Sequence, residues 1–150
     1  MDVGILLIFQ NYQGRGSDAG VMRDQMRLAL LAEQLGYDKL WSPEHHFTDY
    51  SACPDNIAFL CWLAGCTKHI ALATGAVIVP WNDPLRVAER IVMLDHLSSG
   101  RAVLGLGRGL ARVEYDSFGI EMGESRARFD EAARSMSLFA ETVLPEIHRW

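Results

Sequence analysis

The chain has few cysteines and no Cys-x-x-Cys pair: Cys53, Cys61 and Cys66 are the three it carries in 150 residues. An odd number at these spacings argues against a disulfide framework and against a zinc ribbon. Free thiols in a reducing cytoplasm are the expected state. Long apolar runs are also missing, and none approaches the ~20 residues of a membrane span. No basic segment precedes the first apolar run, so a secretory leader is not expected. Positive charge is scarce as well. Lys and Arg total 14 against 19 acidic residues, a net charge of −5, which speaks against a nucleic-acid partner. No low-complexity tract, linker or composition shift divides the chain, and residues 1–150 are expected to form one domain.

What is present is a strand–helix alternation, four times over. VGILLIF (3–9) is a short apolar run of the kind buried on both faces. A helix is predicted over 21–35, with Leu28, Leu31, Ala32 and Leu35 as its buried stripe and Gly36 as its stop. DKLWS (38–42) is the second strand, followed by a polar loop to about residue 53 and a buried helix from Pro54 to Cys66. HIALATGAVIV (69–79) is the third strand. Asp83 and Pro84 then read as N-cap and first residue of a helix with Val87, Ile91 and Leu94 inside, ending at Ser98-Ser99-Gly100. RAVLGLG (101–107) is the fourth strand. A long loop leads to a last helix starting near Glu124, with Phe129, Ala132, Ala133, Met136, Phe139, Ala140 and Val143 on one face.

Such alternation implies an α/β fold with parallel strands and right-handed crossovers. Two architectures fit: a small doubly wound sheet, or the first half of a (β/α)8 barrel, whose eight units need ~250 residues. In both, chemistry belongs to the loops after the strands: 10–20, 42–53, 75–83 and 107–123.

WSPEHHFT (41–48) follows strand two directly. Metal-binding histidines converge from spacings such as i and i+4, whereas adjacent ones tend to point apart. A zinc site is therefore disfavoured. Structural hydrogen bonding and proton transfer both remain open, and periodicity does not rank His45 over His46. Gly75 and Ala76, in ATGAV, leave bare backbone for a flat ligand, or serve close strand packing. GLGRGLA (105–111) has glycines at every second position with Arg108 among them, a pattern suited to an anion. The dinucleotide fingerprint fails, because Leu110 stands at its third glycine and the motif follows the fourth strand. Arg126 opens the last helix, where the macrodipole disfavours a cation. A carboxylate such as Glu124 or Asp130, or a bound anion, would offset that. Glu89 is expected to pair with Arg86 or Arg90, and Trp41, Trp62, Trp81 and Trp150 to serve packing.

EHHFT (44–48), TGAVIVPWNDP (74–84), ERIVMLDHLSSGR (89–101), GLGRGL (105–110) and ESRARFDE (124–131), in that order, resemble the bacterial-luciferase-like flavin monooxygenases. The resemblance is nearest to the luciferase alpha-chain branch, although that branch carries a cysteine where this chain has Gly107. It implies a (β/α)8 barrel of which four βα units are present, a half-barrel. It also implies reduced FMN and O2 oxidising an organic substrate, such as an aldehyde, with a deazaflavin as the less favoured cofactor. A flavin reductase would supply the reduced flavin, and dimers would form through the early helices. By position, His45 would be the catalytic imidazole and Glu44 the support of its loop. Gly75 and Ala76 would form a ledge under the flavin ring through a non-proline cis peptide, and Arg108, Leu110 and Arg126 would hold the phosphate. A truncated, non-catalytic flavin-binding or subunit-partner module is the alternative reading.

Overall fold

A computed structural model describes residues 1–14 and 16–142. Val143 and Trp150 lie outside the described residues. Four strands run parallel in the order β1 (Gly4–Leu6), β2 (Lys39–Ser42), β3 (Ala71–Thr74) and β5 (Ala102–Val103). A second short parallel ladder joins β4 (Val77–Ile78) to β6 (Leu106–Gly107). Helices α1 (Asp18–Gln34), α2 (Asn56–Cys66), α3 (Pro84–Ser98) and α5 (Ser125–Thr142) alternate with the strands, and a short α4 (Arg112–Ser117) interrupts the last loop. This is an α/β fold with a parallel sheet and flanking helices.

The two strands expected as 69–79 and 101–107 are each broken. The first break falls at Gly75-Ala76, whose peptide bond is cis. Thr74 carries the pairing across the gap: its Oγ1 accepts from Gly105 N at 2.8 Å and donates to Gly105 O at 2.9 Å. Val77 N then donates to Gly105 O at 2.9 Å, and Val77 pairs with Leu106. The approach at this point is so close that a Cβ on Gly105 would stand 2.3 Å from Thr74 O. A hydroxyl side chain thus replaces two backbone ladder bonds, which apolar periodicity cannot reveal.

The helix ends follow local chemistry. Asp83 caps α3 through Leu85 N at 2.9 Å and Arg86 N at 3.0 Å, with Pro84 at the first position. The same helix stops at Ser99 and Gly100, both with positive φ. Ser17 caps α1 and Asp55 caps α2, so α1 begins earlier and α2 slightly later than their apolar stripes suggest. Arg86 does pair with Glu89, while Arg90 pairs with Asp55 instead.

The stripe expected on α1 requires correction. Leu28, Leu31 and Leu35 are 43%, 45% and 67% exposed. The face against the sheet is Ala29 and Ala32, with Val21, Met22, Met26 and Leu30 packed beside them. This helix is apolar on two overlapping faces, and both satisfy helical spacing. Between sheet and helices lies a core containing Leu7, Phe9, Leu40, Ile57, Leu60, Leu63 and Leu72. Phe9 and Phe59 meet edge to face there, with ring centroids 4.9 Å apart.

At the N-terminal end of the strands, two side chains tie the turn between α2 and β3. Arg101 donates through Nη1 to Thr67 Oγ1 at 2.8 Å and Ile70 O at 2.9 Å. Its Nη2 reaches Thr67 O at 3.0 Å and Ala64 O at 3.3 Å, and its Nε reaches Ser98 O at 2.7 Å. Glu33 accepts from Lys68 N at 2.6 Å, Ile70 N at 3.3 Å and His69 N at 3.4 Å. Burial pushes the Glu33 carboxyl up, but these N–H groups and nearby Arg101 outweigh it and hold it below the usual range. Among the described residues no helix is long and apolar enough to cross a membrane.

Arg101→Ala is expected to destabilise the fold by about 2–4 kcal/mol, seen as a lower urea midpoint, because several carbonyls lose their donors together. A lysine at 101 would not restore the loss, lacking the planar fork. Glu33, being half-buried rather than enclosed, contributes about 1 kcal/mol or less. Its folded-state pKa is depressed, so that contribution is present above the ordinary value of 4.5 and is lost as pH falls below it. Glu33→Gln should therefore shrink the acid-induced loss of stability in pH-dependent urea titrations.

Candidate functional site

The loops at the C-terminal ends of the strands are fastened to one another. Ala52 N donates to Phe9 O at 2.9 Å, and Asn11 N to Asp49 O at 3.1 Å, joining the loops after β1 and β2. His45 N donates to Cys53 O at 3.2 Å within the second loop. Cys53 is buried, and burial pushes its thiol up to about 11, so it is a packing residue rather than a nucleophile.

Glu44 is the polar centre of this rim. It is 6% exposed and meets four N–H groups. Its Oε1 accepts from Trp81 Nε1 at 2.7 Å, Asn82 Nδ2 at 2.9 Å and His46 Nε2 at 3.1 Å, and its Oε2 from Ile78 N at 3.0 Å. The expected support of the EHH loop is therefore made through β4 and the turn that precedes α3.

The two histidines part company. His46 spends Nε2 on Glu44, and its ring packs edge-on against Phe118 at 4.9 Å and Trp81 at 6.0 Å. The His45 ring lines a cleft. Its Nδ1 lies 3.1 Å from Glu114 Oε1, which also accepts from His46 N at 2.8 Å. A carboxylate can only accept, so His45 donates from Nδ1 and keeps Nε2 as its basic nitrogen. This is a histidine oriented by a carboxylate behind it, an arrangement suited to proton transfer. Among the described residues no group of three or more His, Cys, Asp or Glu side chains is placed to hold a metal ion.

The cleft measures about 350 Å³ and is lined by Glu44, His45, Gly75, Ala76, Ile78, Arg108, Gly109, Leu110 and Glu114. Six of the seven residues singled out from the sequence meet there. Arg126 does not line it. That residue is exposed on the first turn of α5, and Glu124, the carboxylate expected beside it, bonds Arg128 Nε at 3.1 Å instead. Neither Arg108 nor Arg126 has an ion-pair partner among the described residues. Leu110 is 77% exposed at the lip. The Arg108 carbonyl is fixed by the Tyr115 hydroxyl, and Tyr115 packs on Trp81 at 5.1 Å.

The glycines of GLGRGL have steric reasons of their own. A Cβ on Gly107 would stand 2.7 Å from Ile78 Cδ1 and 3.1 Å from Ala76 Cβ. Gly109 has φ +79°, and a Cβ there would meet Trp81 Cη2 at 2.7 Å. Glu114 and Asn82 escaped the sequence reading. Glu114 is one acid among several in a long loop and repeats at no diagnostic spacing, whereas Asn82 lay inside a motif already singled out.

At the C-terminal ends of a parallel βα sheet, one cleft thus brings together a histidine oriented by a carboxylate, the side-chain-poor Gly75-Ala76 backbone and Arg108, which has no ion-pair partner among the described residues. The chain belongs to the luciferase-like monooxygenase family, whose model matches residues 1–146. It is 34% identical over 111 residues to the alkanal monooxygenase alpha chain of Photorhabdus laumondii, covering 74% of this chain and 31% of that one. It superposes with a TM-score of 0.88 and 36% identity on the crystal structure of monooxygenase RslO1 from Streptomyces bottropensis, covering 93% of this chain and 43% of that one. The fold is shared, at TM-score 0.83 and 22% identity, with the oxygenating constituent of 3,6-diketocamphane monooxygenase from Pseudomonas putida, solved in complex with FMN; 91% of this chain and 38% of that one are covered. The chain spans about a third of the length of the curated relatives it matches, 33% and 31% for two of them.

Glu114→Ala leaves His45 Nδ1–H and His46 N–H without their acceptor. It should cost about 1–3 kcal/mol in urea unfolding. Glu114→Gln, which keeps one carbonyl oxygen for the same N–H groups, should cost less.

Proposed function

We propose that this chain provides the flavin ledge and the proton-transfer histidine of an FMN-dependent, luciferase-like monooxygenase, as the first four βα units of a (β/α)8 barrel and as one domain. The observation that carries this reading is the single cleft shared by His45, Gly75, Ala76, Arg108 and Leu110. Its chemistry fits the cofactor. Nothing larger than a methyl group rises from Gly75-Ala76, which suits a planar ring, and the unpaired Arg108 suits an anionic tail. Reduced flavin, when bound, supplies the electrons with which O2 is activated.

The chain's own residues have separate tasks. The Gly75-Ala76 backbone supports the ring. Arg108 and Leu110 at the lip would hold the phosphate, and Arg126, exposed on the first turn of α5 outside the cleft lining, would add a second cation for it. His45, oriented by Glu114, moves a proton at Nε2 beside the ring, and Glu44 keeps the His45 loop against β4. The co-substrates are O2 and a small organic molecule, an aldehyde being one candidate class, and a separate reductase supplies reduced flavin. Trp62 on α2, with Met93 and Leu97 one turn apart on α3, is exposed and favours dimers through these helices. Free thiols are in keeping with a cytoplasmic location.

Titration with oxidised and reduced FMN is the direct test, and a protein that binds neither form rejects the reading. His45→Ala should lower turnover by about 10²–10⁴-fold while FMN affinity stays within a few-fold of the parent. Unchanged turnover would remove His45 from the chemistry.

A further inference from the structure

Asn56 is the first residue of α2 and is only 2% exposed. It does not cap the helix, because Asp55 Oδ1 already accepts from Ala58 N at 2.9 Å. Its side chain instead reaches across to the sheet. Nδ2 donates to Ser42 O at 3.2 Å and to Ala76 O at 3.1 Å. Both partners are carbonyl oxygens, so only the NH2 end of the amide can serve them. Ser42 O also accepts from Gly75 N at 2.7 Å. Gly75 N–H, Ser42 C=O, the Asn56 amide and Ala76 C=O therefore form one chain of hydrogen bonds that joins the two peptide units on either side of the Gly75–Ala76 peptide and so fixes its ends.

Among the described residues, no strand ladder spans that peptide. It falls in the gap between β3 and β4, where ladder pairing stops at Thr74 and resumes at Val77. Gly75 contributes no side chain to anchor it. Gly75 and Ala76 face the cleft, whereas Asn56 is not among the cleft residues and lines a separate small cavity beside Glu44 and His46. The amide thus stands behind the ledge, and a buried donor pair of this kind is costly to leave unmade.

We infer that Asn56 is a positioning residue: it sets the plane of the Gly75–Ala76 ledge and so the affinity for a planar heteroaromatic ring, independently of any phosphate. The inference rests on the flavin-binding reading above. It separates two parts of the ligand. Asn56 acts on the ring, and Arg108 acts on the anionic tail.

Riboflavin and FMN differ only in the phosphate and make the test. Dissociation constants of both are measured by flavin fluorescence for the parent protein, Asn56→Asp, Asn56→Ala and Arg108→Ala, with melting curves for each. Asn56→Asp keeps the shape but opposes a carboxylate to two carbonyls. Both Asn56 variants should weaken riboflavin and FMN by the same factor, about tenfold. Arg108→Ala should weaken FMN alone. In the parent protein, selectively labelled Asn56 side-chain amide resonances should shift on adding riboflavin, a readout that needs no variant to fold. Equal affinities in folded Asn56 variants, or amide resonances that ignore bound riboflavin, would overturn the positioning role while leaving flavin binding intact. A parent protein that binds neither flavin overturns the functional reading, and this inference with it.

Discussion

The buried Glu44 carboxylate is the interaction on which the rim of the sheet depends. A carboxylate removed from water needs donors on every side, and this one takes them from three segments: the EHH loop, β4 at Ile78, and the Trp81-Asn82 turn. The satisfied charge therefore fixes loops that share no backbone ladder. Trp81, held by its indole N–H, becomes the plate against which Tyr115, Phe118 and the His46 ring pack. Tyr115 in turn holds the Arg108 carbonyl. Position thus passes from one carboxylate through an indole and a phenol to the arginine at the cleft lip, and through His46 to the neighbouring His45.

The opposite end of the sheet is organised for a different purpose. Arg101 spreads five hydrogen bonds over the turn that precedes β3 and the end of α3. Glu33 takes three backbone N–H groups of the same turn. Neither lines the cleft. The cleft lies at the C-terminal edge of the strands and the tethering at the N-terminal edge, the arrangement that βα architectures share. Thr74 lies between the two, closing the interrupted ladder just beneath the ledge.

How far the sequence reveals this depends on the range of each interaction. Caps and stops are local, and Asp83-Pro84 and Ser99-Gly100 were legible residue by residue. So was the grouping of His45, Gly75, Ala76, Arg108 and Leu110, since strand–helix alternation puts every post-strand loop at one edge. The buried face of α1 was misread, because an apolar-rich helix offers two stripes and only contact with the sheet selects between them. The breaks in the third and fourth strands were hidden, because Thr74 and Gly105 replace ladder bonds across 31 residues. Glu114 and Asn56 were invisible for the same reason: each is an ordinary polar residue until the fold sets it against backbone groups remote in sequence.

The GLGRGL stretch shows how one spacing can have more than one physical cause. Alternating glycines beside an arginine suggest backbone opened to an anion. Yet Gly105 is demanded by Thr74 O, Gly107 by Ile78 and Ala76, and Gly109 by its positive φ and by Trp81. Each contact lies within the protein, so the glycines need no ligand to account for them. The anion reading then depends on Arg108, whose guanidinium lacks an ion-pair partner among the described residues. A cation left unpaired at the lip of a cleft, on a backbone anchored by Tyr115, is stronger support for a phosphate than glycine spacing was.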